Sequence, residues 1–237
     1  MRSRRGASRI QAFGILALLA LMLVIGMKVG ASLTSWNVHV VKIRLGSNVE
    51  VRPAVASGVC ESFKEMVTRL KPYAAINGTF YDTDYRPLGD ILIGGKIVNR
   101  GHYRNAVAYK KTGEVHFLRV SRGRIPWRGY RAGLAAGPRL VHNGKIALDP
   151  VADGFSRRSL TLSSYRSGVG RTKDGYLLLV TTKQPMTLNE FAKVMLGLGS
   201  VEAMNLDGGG ACGLYHNGKT LATPYLQMTN VLLVYKR

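Results

Sequence analysis

Acid is what this chain has least of. Thirteen aspartates and glutamates face 34 lysines and arginines, a formal net charge of +21 over 237 residues. Chemistry that gathers many carboxylates therefore has few to draw on. Cysteine is nearly absent, with Cys60 and Cys212 the only two. In an oxidising compartment they could pair, but geometry decides such pairs, and Cys212 follows a glycine run where a small residue is wanted, so the pairing stays open. No His/Cys cluster has zinc spacing, which excludes a structural zinc module. There is no Gly-x-Ser-x-Gly and no histidine with triad support, which argues against a serine protease or esterase. Low-complexity tracts and internal repeats are also missing. What remains is a chain of 46% hydrophobic residues, enough for a real core, with 28 glycines and 8 prolines scattered through it. That scatter suits a turn-rich, strand-rich protein.

The N-terminus is a separate object. Arg2, Arg4, Arg5 and Arg9 precede an apolar run from Ile10 to Met27, broken only by Gln11. A positive region followed by an apolar one reads as an export signal, with the basic flank held in the cytoplasm. The run is borderline for a full membrane span. Val29-Gly30-Ala31 before Ser32 carries small residues spaced like a signal-peptidase site. Residues 1–31 are thus a signal peptide or an N-terminal anchor, the length of the run favouring the anchor, and residues 32–237 form one exported domain. The expected location is periplasmic or extracellular.

Residues 1–31 hold five of the positive charges, so the exported part keeps +16. Nucleic acid is the reflex partner for such a surface, but export argues against it. A basic field concentrates anions, so anionic envelope polymers and phosphate-bearing substrates fit better.

The pattern of the exported part is that of hairpins. Residues 36–45 and 49–56 alternate as half-solvated strands. Residues 91–98, 106–120 and 166–182 read as paired strands around Gly94-Gly95, Thr112-Gly113 and Asp174-Gly175. Ser62 with Glu65, and Thr187 with Glu190, make capping boxes that open helices over residues 62–70 and 188–198. A strand over residues 134–141 is broken at Gly137-Pro138, and a last strand covers 230–235. The expectation is an α+β fold: a single mixed, hairpin-rich sheet domain with two or three helices, preceded by an N-terminal hydrophobic helix.

One stretch concentrates chemistry. Asn205-Leu206-Asp207-Gly208-Gly209-Gly210 follows a short apolar run, so a carboxamide and a carboxylate stand at a strand end before three glycines. Glycine lets backbone approach a ligand closely. By itself this is also how an Asx turn looks. Four further segments stand in order with it: Ala75-Ile76-Asn77-Gly78-Thr79-Phe80, Ala136-Gly137-Pro138-Arg139-Leu140-Val141 with Asn143-Gly144-Lys145, Arg166-Ser167-Gly168-Val169-Gly170, and Thr187-Leu188-Asn189-Glu190-Phe191-Ala192. Together they resemble the phosphodiester glycosidase family, over roughly residues 50–237. Two departures stand out: Thr79 replaces a glycine of the first motif, and Ala211-Cys212 stands where the family carries a serine.

The resemblance implies cleavage of a sugar C1–O bond to phosphate, in a family that includes exported bacterial proteins linked to exopolysaccharide. Glycoside cleavage ordinarily uses two carboxyl groups. A phosphate leaving group is already a weak base and needs its charge neutralised more than it needs a proton, so one carboxylate and a cation could serve. Asp207 is the candidate carboxylate, as nucleophile or as base for water, and Arg166 the candidate phosphate clamp, because a guanidinium grips phosphate in a fork. Asn77 and Asn205 offer donors and acceptors to sugar or phosphate, unless each holds its own turn. The amides of Gly208, Gly209 and Gly210 could form an anion nest. Arg139 lies beyond the Gly-Pro bend and joins the candidate binding residues. Glu190 is read as a helix cap. Asp82, Asp84 and Asp90 are spaced loosely like ligands of a hard cation but lack a regular cage; no cofactor or metal site is assigned, and a divalent cation is left open. The competing reading is a non-catalytic basic module that binds anionic glycans.

Overall fold

The computed structural model describes residues 37–237. The leader features, namely the hydrophobic helix over 10–27 and the small-residue site before Ser32, lie outside the described residues. No helix among the described residues is long and apolar enough to cross a membrane.

The chain opens with β1 (Val38–Arg44) and β2 (Val49–Val55), then α1 (Phe63–Leu70). Ser62 caps α1 as its sequence requires: its hydroxyl accepts from the Glu65 amide and its own amide donates to the Glu65 carboxylate. Lys71 takes a left-handed conformation (φ 46°) and Pro72 forbids a further turn. There follow β3 (Ala74–Asn77), the hairpin β4 (Ile91–Ile93) and β5 (Lys96–Asn99), the hairpin β6 (Asn105–Tyr109) and β7 (Val115–Arg119), then β8 (Ala132–Ala136), β9 (Arg139–His142) and β10 (Lys145–Ile146). The second half holds β11 (Ser167–Thr172), β12 (Tyr176–Thr182), α2 (Leu188–Gly197), β13 (Ser200–Asn205), β14 (Leu214–His216), β15 (Lys219–Ala222) and β16 (Asn230–Lys236). Thr187 and Glu190 close the second capping box.

Among the described residues the class is as expected, a strand-dominated α+β fold with two α-helices, but the sheet is not single and not mixed. Three sheets form, in the orders β1-β12-β11-β13-β9-β10, β15-β14-β3-β16-β2 and β5-β4-β8-β6-β7. Every ladder between named strands is antiparallel. Five of these thirteen ladders are hairpins between consecutive strands, whose short turns permit only antiparallel pairing. The β14–β15 hairpin is an addition to the sequence reading. Its turn, Asn217-Gly218 with φ 45° and 86°, carries the strongest short-range hairpin signal there is.

The three sheets share one core. Val41, Ile43, Leu177 and Met204 come from the first, Val51, Ile76 and Leu232 from the second, and Ile91, Val107 and Leu134 from the third. α1 covers the outer face of the second sheet with Phe63, Met66 and Val67 against Ala75, Val231 and Leu233; burying each such side chain stabilises by about 2 kcal/mol. α2 lies against β9 and β13 and reaches β11 because that strand has no side chains in the way. A Cβ on Gly168 would stand 2.8 Å from the Phe191 ring, and one on Gly170 2.6 Å from the Ser200 hydroxyl. The Gly-Val-Gly of β11 is thus a seat for α2.

Candidate active site

β13 runs through the first sheet between β11 and β9 and delivers Asn205 opposite Gly168. One residue further, the Leu206 amide donates to the Ser167 carbonyl (2.8 Å), and the chain then leaves this sheet. The Asp207 amide donates to the carbonyl of Gly78 (3.1 Å), at the end of β3 in the second sheet. Asp207 therefore bridges two sheets through its backbone, and its carboxyl group is left at their junction. That carboxyl is half-buried. Its one hydrogen bond comes from the Gly208 amide to Oδ1 (2.8 Å). Burial disfavours the charged form and raises its pKa to about 6, against the pull of that amide.

The groups around it are aromatic. Tyr81 is pushed up to about 12 by burial and then by the negative charge of Asp207, and Tyr103 rises for the same two reasons in the same order. Tyr103 stacks on Phe155 with ring centroids 4.8 Å apart and planes within 9°. Phe80 closes the group at 5.5 Å from Tyr103 and 5.7 Å from Phe155. Tyr81 lies over Tyr85 at 5.8 Å and is anchored by its hydroxyl, which donates to the Gln227 carbonyl (2.7 Å). Tyr225, 81% exposed, covers Gly210 so closely that a Cβ there would meet its ring at 2.3 Å.

Beside this wall, polar atoms are buried without partners: Thr79 Oγ1, both side-chain polar atoms of Asn105, Ser167 Oγ and Asn205 Oδ1. Buried polar atoms are nearly always satisfied, so each of these is an exception, and all lie on segments next to the loop or next to its partners. Thr79 adjoins Gly78, Ser167 faces Leu206, and Asn105 and Asn205 flank Gly137, which takes φ 145° at the bend.

The predicted site residues divide by what they do. Asn77 is fully buried; its Nδ2 donates to the Asp207 carbonyl (2.8 Å) and its Oδ1 accepts from the Gly213 amide (3.2 Å). It braces the loop rather than facing a substrate. Asn205 donates to the carbonyls of Gly137 and Leu206, which leaves only Oδ1 to offer. Three free amides in a nest are not what the glycine loop forms. Gly208 N serves Asp207, Gly209 N donates to the Tyr165 carbonyl (2.9 Å), and a single 3₁₀ turn runs Gly209–Ala211.

Arg166 is buried, and its guanidinium donates to the carbonyls of Met186 (2.9 Å) and Leu162. Among the described residues it pairs with no carboxylate. Burial lowers its pKa, and the ionisable neighbour acting on it is Cys212. Cys212 in turn is raised to about 11, first by burial, with the Ser167 hydroxyl and Arg166 opposing and Asp207 reinforcing. Arg166 and Asp207 are thus gathered around one thiol without touching. Arg139 stands elsewhere. It is buried, its amide donates to Asp153 (2.9 Å), and Glu202, Arg119 and Asp153 are the charges around it.

Cys60 and Cys212 are both free thiols. Asp82 holds the amides of Asp84 and Arg86, Asp84 pairs with the Arg86 guanidinium (3.5 Å), and Asp90 accepts from Trp127 Nε1 (2.7 Å) and the Gly101 amide. Among the described residues no three potential metal ligands cluster. Tyr81, Tyr103, Asn105 and Phe155 escaped the sequence reading. Phe80-Tyr81 at least follow Asn77 directly, whereas nothing local distinguishes Tyr103, Asn105 or Phe155 from core and loop residues.

A strand-end aspartate with a glycine loop, braced by an asparagine from a second sheet, defines a class, and comparison identifies it. The chain belongs to the phosphodiester glycosidase family, whose sequence pattern matches residues 71–235. No curated protein matches the chain. Among solved structures, a hypothetical protein from Synechocystis superposes with a TM-score of 0.76 at 19% identity, covering 84% of this chain; this chain spans 59% of that protein's length. The zebrafish N-acetylglucosamine-1-phosphodiester alpha-N-acetylglucosaminidase catalytic domain, auto-inhibited by its pro-peptide, gives 0.68 at 20% identity, covering 86% of this chain and 85% of that one. A Burkholderia pseudomallei protein described as exported gives 0.65 at 14% identity, with 84% and 73% covered. At these identities the structural likeness establishes the fold.

Proposed function

We propose that this chain is an exported hydrolase that cleaves the C1–O bond of a sugar-1-phosphodiester, in envelope or extracellular glycan metabolism. The observation that carries the reading is the Asp207 carboxyl, half-buried beside an aromatic wall and a set of unpartnered polar atoms. With a pKa of about 6, the carboxylate is mostly ionised at neutral pH and still basic enough to act. It serves as the nucleophile at C1 or as the base for the attacking water. In either case the new bond to C1 forms as the C1–O bond breaks, and the electron pair leaves with the phosphate monoester; on the nucleophile route water then attacks C1 of the glycosyl ester, loses a proton to solvent, and frees the sugar and the Asp207 carboxylate. That group departs as an anion and needs no proton at the moment of cleavage.

The aromatic rings supply apolar faces for a sugar ring. Thr79, Asn105, Ser167 and Asn205 supply the hydrogen bonds that fix its hydroxyls or the phosphate. Arg166 acts through its positive potential, because two of its N–H groups are already donated to backbone carbonyls.

The test is phosphomonoester release from a sugar-phosphodiester by the full chain. Asp207→Asn should abolish it, and Arg166→Gln, which removes the positive charge, should weaken the phosphodiester far more than a neutral aryl glycoside. Activity unchanged by Asp207→Asn would overturn the assignment and leave a basic glycan-binding module, whose binding would fall steeply with salt.

A further inference from the structure

A second site lies at the other end of the same strands. Asn105, at the start of β6, borders the Asp207 site; Tyr109, at its end, lines a cleft of about 460 Å³ between β2 and the β6–β8 edge. Four steps along a strand separate the two, roughly 14 Å. β8 runs between the same places, from Ala132 in the cleft to Ala136 beside Gly137.

The cleft is lined by five cations and one carboxylate, Glu50. Glu50 is shared by Arg52 (3.4 Å) and Arg237 (2.9 Å), and Lys110 is paired outside the lining with Glu114 (2.8 Å). Lys111 and Arg131, both exposed, have no carboxylate partner among the described residues, and Arg131 donates only to the Gly94 carbonyl (3.3 Å). Like charges crowded into a cleft repel one another and destabilise the empty protein. Exposed cations that lack a carboxylate partner are complementary to a phosphate group, which a guanidinium can grip in a fork.

We infer that this cleft is a second anion site, which holds a phosphate group of a polyanionic chain such as a phosphorylated glycan. It goes beyond the reaction assigned to Asp207 and does not depend on it. It would hold the polymer while another part of the same chain lies at Asp207, some four residues of strand away.

The test is calorimetric titration of the full chain with inorganic phosphate, pyrophosphate and short-chain polyphosphate at fixed ionic strength. Lys111→Gln/Arg131→Gln should weaken pyrophosphate and polyphosphate binding about tenfold or more, as expected for loss of two charge-assisted contacts. The surface control Lys173→Gln/Lys193→Gln should change it less than about twofold. Equal losses in the two pairs would overturn the site in favour of general surface charge. Binding of inorganic phosphate as tight as that of polyphosphate would overturn the polymer reading. Cleavage of a small sugar-phosphodiester should survive Lys111→Gln/Arg131→Gln, which separates failure of this site from failure of the Asp207 assignment.

Discussion

Asn77 holds Asp207 by its backbone, not by its carboxyl: Nδ2 donates to the Asp207 carbonyl over 2.8 Å, while Oδ1 takes the Gly213 amide at the other side of the glycine loop. One side chain thus spans both ends of the loop that presents the reactive group. Asn77→Ala strands a buried amide and a buried carbonyl, each worth about 1–3 kcal/mol when left unmade. Urea unfolding should show a loss of about 2–4 kcal/mol with an unchanged m-value. Whatever folded enzyme remains should show a lower kcat.

The raised pKa of Asp207 makes a signed prediction about stability. The ordinary value is 3.8 and the folded value about 6, so the folded protein binds the proton more tightly than the unfolded chain. Its contribution is most favourable below pH 4, is lost as pH rises through 6, and is a full penalty at pH 7 and above. Asp207→Asn escapes that penalty. It should be more stable than the native chain by about 3 kcal/mol at pH 7.5 and nearly equal to it near pH 4. Denaturation at the two pH values checks this, and a difference that does not grow with pH would refute it.

The same carboxyl sets the acid side of the activity profile. If it acts ionised, kcat/KM should fall below an apparent pKa of about 6. A profile flat down to pH 4.5 would place the essential group elsewhere.

The seat of α2 is tested by filling it. Gly168→Ala puts a methyl 2.8 Å from the Phe191 ring, an overpacking that should cost about 1–3 kcal/mol in chemical denaturation. Adding Phe191→Leu should recover part of the loss, because the clash is with the ring edge. Two losses that simply add would mean the two residues do not share the strain.

Tyr103 separates ring from hydroxyl. Its stack on Phe155 is preserved in Tyr103→Phe and lost in Tyr103→Ala. If the ring walls the sugar site, alanine should lower kcat/KM by about tenfold or more and phenylalanine by much less, in line with the worth of an aromatic contact plus its burial.

Much of this was legible because its causes are local. Capping boxes at Ser62 and Thr187, turns at Asn143-Gly144 and Asp174-Gly175, and the strand end at Asn205 follow from residue type and spacing alone. The site was legible as a set of segments but not as a set of roles. Asn77 and Asn205 show the difference. A carboxamide advertises two donors and an acceptor, but the partners depend on which strands lie alongside, and those are set by sheet pairing across the chain. Arg166 is similar, since its two carbonyl partners belong to loops that meet only when Ser164 pairs with Met186. One mixed sheet was expected where three form because alternation marks strands without saying which neighbour each will choose.

The bonds that make the site are among the longest in the sequence. Asn77 and Asp207 are 130 residues apart, and Thr79 and Asn230, which exchange bonds in both directions, are 151 apart. Closing loops of that length is entropically costly until the surrounding strands are in place, and contacts of such range slow folding. The reactive carboxyl therefore takes up its buried position only when β3, β13 and β16 have all arrived. A chain whose β16 has not yet paired carries these residues without the geometry that joins them.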